Sequence, residues 1–179
     1  METLKLLTSP LTPVYDLAKI KTYLRVLDDH QNAQIEMMAN AYLLKAEEIT
    51  NLILQGISTF EWSIDGSFRD LVLPKNPVTE IVEVEYIDNA EEKQTLPLAQ
   101  VEYSFPLGAT KTPFTLFFTG DLPNAKKIIL TFKAGFESMD SRVEMYLNAK
   151  IAEEYDNLPD NERSKYTDRM LDSLRVNYL

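Results

Sequence analysis

The sequence predicts an α+β fold: mainly a helical bundle core of about four helices, with an inserted antiparallel β-hairpin or sheet region. Three observations predict it. Apolar residues recur at three- and four-residue steps near both ends of the chain. Between those ends, short alternating runs are separated by turn residues. Within that middle stretch Pro74 and Pro77 stand directly before a long alternating run that starts at Val78.

The 179 residues suit one domain, 1–179, with helices over 15–56, a β insertion over 57–136 and C-terminal helices over 141–179. Residues 1–14 contain Pro10 and Pro13 without sustained periodicity and read as an arm or irregular lead-in. From Asp16, a candidate N-cap, Leu17, Ile20, Leu24 and Leu27 recur at helical spacing. Asp28-Asp29-His30-Gln31-Asn32 breaks that pattern and can cap a second helix. There Ile35, Met38, Tyr42, Ala46, Ile49 and Ile53 predict a helix running to a C-cap at Gly56. Its expected length is about 33 Å.

The β section follows, with runs at Thr59–Ile64, Leu71–Leu73, Val78–Ile87, Val101–Phe105, Phe114–Phe118 and Ile128–Phe132. Asp65-Gly66, Asp88-Asn89, Gly108 and Gly120-Asp121 supply turn chemistry, and Gly135 ends the section. Pro77 blocks helix and has no N–H to donate, so it marks the start of a strand, one beginning at a sheet edge. In that strand Val78, Val82, Val84 and Tyr86 are expected on one face, with Thr79, Glu83 and Glu85 toward water. The register is expected to be fixed, because a one-residue slip would bury the glutamates. Helix returns near Ser141, where Val143, Leu147, Ile151 and Tyr155 form a stripe broadened by Tyr146 and Ala152. Pro159 lies past its end. After the hydrophilic link Asp160 to Lys165, a short helix carries Met170, Leu171, Leu174 and Tyr178. Such a terminal helix needs a surface to dock on, either its own bundle or another subunit.

With no cysteine, the chain has no disulfide, thiolate metal site or thiol nucleophile. It shows no signal-peptide pattern and no apolar run near the ~20 residues that span a bilayer, so a soluble protein is expected. The formal net charge of −10 argues against a grip on phosphates, and Lys126-Lys127 is the densest basic pair. Such a balance fits a solvated acidic surface, or one that DNA can pass without adhering.

The inventory for catalysis is thin. His30 is the only histidine and sits in an acidic turn, with no nucleophile-elbow spacing in the chain. Glu47-Glu48 and Glu153-Glu154 lie on predicted helices, so a carboxylate magnesium site is conceivable. Neighbours on a helix point about 100° apart, which favours a solvated face for at least one of each pair. A di-iron bundle needs two Glu-x-x-His motifs, which one histidine does not provide. Five glycines form no phosphate cradle, and Asp65-Gly66 lacks the downstream ligands of a calcium loop. Trp62 and Tyr86 lack the basic interleaving of a single-strand binder and read as core or cross-strand residues.

From about Leu17 to the C-terminus, the chain resembles the head–tail connector (adaptor, or head-completion) proteins of tailed bacteriophages and prophages. The resemblance starts with Asp16–Val26, ending Leu24-Arg25-Val26, and continues with Asp28-Asp29 and the long second helix with Ala41, Ala46 and Glu48. Its most specific segment is Trp62, then Leu73-Pro74 and Pro77-Val78, then Val84, Tyr86 and Asp88. Ile128 to Gly135-Phe136 and an amphipathic helix ending Glu154-Tyr155 complete it. The chain departs from the family in lacking a glycine in the turn Asp88–Glu92 and a proline in Ser138–Arg142, and in reading Asn157-Leu158-Pro159 after Tyr155.

The resemblance implies a structural protein and no enzyme, with no catalytic, cofactor-binding or metal residue to carry over. It implies a homo-oligomeric ring of about twelvefold symmetry beneath the portal protein. That ring extends the DNA channel without specific DNA binding and docks the next connector, stopper or tail-completion protein. Its place would be the virion head–tail junction, reached from the host bacterial cytoplasm, with no membrane partner. Leu174, Arg175, Tyr178 and Leu179 are the candidate portal contact; their alternative role is to cap the subunit's own core. Two other functions compete: a different virion ring component, such as a stopper or tail-end protein, and a small carboxylate- and magnesium-dependent hydrolase.

Overall fold

The alternating runs pair into two antiparallel sheets. The computed structural model describes residues 1–10, 14–66, 69–103, 113–119, 125–156 and 167–176. In chain order these form β1 (Glu2–Thr8), α1 (Leu17–Leu24), α2 (Asn32–Thr50), β2 (Ser58–Asp65), β3 (Asp70–Val72), β4 (Val78–Ile87) and β5 (Lys93–Leu96). Then come β6 (Val101–Tyr103), β7 (Thr115–Phe118), β8 (Lys127–Ala134), α3 (Ser141–Tyr155) and a 3-10 segment, Asp168–Leu174. A five-stranded sheet has the order β1-β2-β8-β4-β5, and a three-stranded sheet the order β3-β7-β6.

Register explains the first core. Phe60, Phe132 and Ile81 align across β2, β8 and β4, and Trp62, Leu130, Val84 and Leu96 align across β2, β8, β4 and β5. These rows share one buried cluster with Leu71, Val101, Leu116 and Phe118 of the smaller sheet. A second, separate cluster gathers Ile20 of α1, Ile35, Ala39, Leu43 and Ala46 of α2, and Val143, Tyr146, Leu147 and Ile151 of α3. The expected helical bundle core with a β insertion is therefore incorrect. Among the described residues, eight strands in two sheets stand beside three α-helices and two short 3-10 segments, with about as much strand as helix. The sheets have a core of their own, because one apolar face of each is broad enough to bury the other.

The lead-in is also corrected. Residues 2–8 form β1, paired with β2 from Glu2↔Ile64 to Thr8↔Thr59. The β region thus draws a strand from before the helices, not only from between them. β5, Lys93–Leu96, is a further strand that alternation does not signal, since only Leu96 of its four residues is buried.

α1 starts at Asp16, whose Oδ1 accepts from Ala18 N (2.9 Å) and Lys19 N (3.3 Å). It stops at Arg25, which takes φ 60, so Leu27 falls off the stripe and is 98% exposed. α2 is shorter than expected. It ends at Thr50 with Asn51 left-handed (φ 59), giving 19 residues and about 28 Å. Past that stop Leu52 and Leu54 enter the helical core while Ile53 packs on the sheet core. The chain thereby laces the two cores together.

Strand β4 begins where expected, and β5 reaches only Val84–Ile87, so its first half has one partner and is an edge. Its face assignment changes. Register shifts between Val78 and Glu80 and between Ile81 and Glu83 place Val78, Ile81 and Val84 inward and leave Val82 exposed. Two bulges move the phase without burying Glu83, which the strict alternation argument did not allow. Glu85 is largely covered and pairs with Lys93 at 2.7 Å.

The segment predicted as a terminal helix is 3-10 over Asp168–Leu174, with Leu171 buried and Met170 exposed. Pro159, the 160–165 link, Tyr178, Gly108, Gly120-Asp121 and the end of the 101–105 run lie outside the described residues.

Candidate functional site

The C-terminal segment is held by polar contacts from two helices. Asp140 caps α3, accepting from Arg142 N at 2.8 Å. The Arg142 guanidinium folds back onto the same carboxylate (2.9 and 2.7 Å) and extends Nη1 to Ser173 Oγ at 2.9 Å. That guanidinium holds the Asp140 carboxyl below the usual carboxylate range, against a smaller opposing effect of burial.

Leu174, one of the candidate contacts, is 2% exposed and packs in the helical core with Leu171 and Val176. Arg175 is exposed, and its Nε donates to Ile49 O at 3.1 Å. Val176 N donates to Thr50 O (2.8 Å), and Asn51 Nδ2 donates to Val176 O (2.8 Å). The last carbonyls of α2, which lack helical partners, are thus met by the C-terminal segment, with a cation at the negative end of the helix dipole. The described part of the segment docks on its own subunit. Tyr178 and Leu179 lie outside the described residues.

The carboxylate pairs do not converge on a site. Glu47 accepts from Leu54 N (2.6 Å), Gln55 N (3.1 Å) and Gln55 Nε2 (3.0 Å), and so fixes the turn after α2. Glu48 pairs with Lys45 at 2.8 Å. Glu153 accepts from Thr167 Oγ1 at 3.1 Å, and Glu154 accepts from Tyr42 OH at 3.2 Å. Among the described residues no group of three or more His, Asp or Glu is placed to hold a metal ion. His30 is exposed in its turn, where its backbone N–H donates to Asp28 Oδ1 at 3.0 Å. Trp62 is a core residue whose Nε1 donates to Glu2 Oε1 at 2.8 Å. Among the described residues no helix is long and apolar enough to cross a membrane.

A cleft of about 640 Å³ is lined by residues of α1 and α3 and by the segments Gly56-Ile57 and Phe136–Met139. Its walls are apolar at Val14, Ile20 and Phe136, and the Lys19–Glu144 ion pair (3.3 Å) stands among its lining residues. Nothing in that lining pairs a nucleophile with a base.

Two further surfaces are apolar and exposed. β1 exposes Leu4, Leu6 and Leu7, and the outer side of α2 exposes Met37 and Leu44. The alternation Thr3-Leu4-Lys5-Leu6 signals the first, and the seven-residue spacing of Met37 and Leu44 signals the second.

No protein-family model matches the chain, and no curated protein matches it. Solved structures do. A chain from the neck of an empty gene transfer agent (GTA) particle, computed with C6 symmetry, superposes with TM-score 0.75 at 15% identity, covering 99% of this chain and 97% of that one. A chain from the virion of a native GTA particle gives TM-score 0.76 at 17% identity, over 98% and 96%. A chain from a native GTA neck computed with C12 symmetry gives 0.67 at 17%, over 99% and 97%. At these identities the likeness establishes the fold, which the chain shares from end to end with chains of these particles.

Proposed function

We propose that this chain is a structural ring subunit of a phage-like particle, located at the virion neck. The observation that carries the reading is the end-to-end match to neck and virion chains of gene transfer agent particles. A match confined to one sheet or one helix pair would support only a shared motif. The finer role is that of a head–tail adaptor. It sits as a ring under the portal protein, extends the DNA channel, and docks the next connector or stopper protein. The net charge of −10 supports a channel wall that DNA passes without adhering. The commitment of Glu47, Glu153 and Glu154 to structural hydrogen bonds supports a non-enzymatic role.

For the portal contact we propose Leu174, Arg175, Tyr178 and Leu179, with the buried Leu174 anchoring the segment. Electron microscopy of the purified protein mixed with its portal tests the whole reading. An added ring coaxial with the portal is expected; portals that stay bare at saturating protein would overturn it. Replacing Arg175 and Tyr178 together by alanine is expected to leave a folded subunit that no longer adds the ring.

A further inference from the structure

Two apolar surfaces stay open among the described residues after both cores are filled. The first is β1. Leu6 pairs with Phe60 and Leu4 with Trp62, so both extend the apolar rows of the sheet core, yet Leu6 remains 53% exposed. Among the described residues no strand pairs with the outer edge of β1, which is first in the sheet order. A seven-residue edge carrying three leucines is a template for association. The opposite edge, β5, is shorter and reads Lys93-Gln94-Thr95-Leu96.

The second surface is the side of α2 turned away from the helical core. Ala33, Met37, Ala41 and Leu44 follow steps of three and four on this face. Met37 is 66% exposed and Leu44 54%. α2 is thus apolar on two faces, and only the one with Ile35, Ala39, Leu43 and Ala46 is used within the subunit.

We propose that these surfaces are the two halves of one contact between copies of this chain, β1 of one copy lying against the outer face of α2 in the next. The inference deepens the ring reading and rests on it. A closed ring needs two different, mutually complementary patches on every subunit, since a patch that meets itself yields a two-fold dimer and stops. β1 and α2 belong to different cores and meet that requirement. The occupant is a second copy because chains of this fold come from necks computed with C6 and C12 symmetry, where each subunit's neighbours around the axis are equivalent. The smaller sheet exposes Val72, Tyr103 and Phe117, of which Tyr103 and Phe117 lie close in sequence to residues outside the described set.

The chain has no cysteine, so introduced thiols report the contact without background. A Leu6→Cys copy mixed with a Met37→Cys copy on portal rings is expected to give a bismaleimide-linked dimer that neither single variant gives alone. Leu6→Glu and Met37→Glu are each expected to reduce ring formation at least ~10-fold with an unchanged urea midpoint, since both side chains are exposed. Rings that form on the portal but give no Leu6–Met37 link overturn this inference and leave the ring reading standing. Portals that stay bare with the unaltered protein overturn both.

Discussion

The sheet core and the helical core are built on different principles. In the sheets, each buried row runs across three or four strands distant in sequence, such as Trp62, Leu130, Val84 and Leu96. The central strand β8 supplies Ile128, Leu130, Phe132 and Ala134, all buried, so one strand organises the layer. In the helical core each helix contributes one stripe, and Tyr15, Leu52, Leu54 and, from the far end of the chain, Leu171, Leu174 and Val176 join the cluster. Rows held by a hydrogen-bonded ladder resist local loss, whereas a core finished by a short 3-10 segment depends on how that segment is tied down. The sheet core is thus the anchor, and the helical core is the part with a removable member.

The largest expected effect lies where the two meet. Gly135 takes φ 129, and a Cβ there would stand 2.2 Å from Gly56 O. Its N–H donates to Pro77 O at 2.9 Å, so the backbone has no slack to retreat. Gly135→Ala combines a left-handed strain with a clash against backbone and is expected to cost about 5 kcal/mol. Urea unfolding of the variant checks this. A loss under about 1 kcal/mol would show that the crossing is loose and the two cores are joined elsewhere.

Next come paired truncations, one in each core. Phe132→Ala and Leu171→Ala are each expected to cost about 3 kcal/mol. Trp62, the only tryptophan, reports on the sheet core by fluorescence, while helical circular dichroism reports chiefly on α1, α2 and α3. Phe132→Ala is expected to shift both signals together. Leu171→Ala is expected to move the helical transition ahead of the fluorescence one, and coincident transitions would show a single cooperative unit. Deleting the chain after Pro159 would remove Leu171, Leu174 and Val176 from the core, so a truncated protein is a poor test of partner binding.

What was legible in the sequence follows the same division. The stripes of α1, α2 and α3 and six of the strands could be read because their side chains alternate or recur within one element. The error of fold class came from β1 and from the separateness of the sheet core. A strand that joins from the N-terminus shows its partner only in three dimensions, and Leu4-Lys5-Leu6 looks the same in an arm. The bulges in β4 were invisible for a related reason: they answer the register of β8 and leave no mark on the sequence of β4 itself. At the candidate contact, the apolar spacing of Leu171 and Leu174 was legible. That Arg175 meets the end of α2 was not, because the contact spans 126 positions.

Glu47 sharpens the comparison at the lacing segment. Its carboxylate accepts three hydrogen bonds from Leu54 and Gln55, directly after the chain changes from one core to the other. Glu47→Ala leaves two backbone N–H groups without that acceptor and is expected to cost about 1–2 kcal/mol. If Glu47→Ala leaves the urea midpoint unchanged, the turn is held by packing of Leu52 and Leu54 alone.

The smallest effect tests the clamp on the removable member. Asp140 is held below its ordinary carboxylate pKa, first by the Arg142 guanidinium. A group depressed on folding adds stability that is fully present above its unfolded pKa and is lost as pH falls through the folded one. The window therefore opens below about pH 4. Both side chains of the clamp are partly exposed, so water and salt screen it and its contribution is expected to stay under about 1 kcal/mol. Asp140→Asn keeps a capping side chain at α3 while removing the charge, which separates the cap from the ion pair. The variant is expected to show a slightly lower melting temperature than the parent at pH 7, converging with it by pH 2, and the difference is expected to shrink in high salt. Because Arg142 also reaches Ser173, the loss is expected in the helical signal before the Trp62 signal. A pH-independent difference would mean that Asp140 acts through its cap alone and that charge has no part in holding the C-terminal segment against the helices.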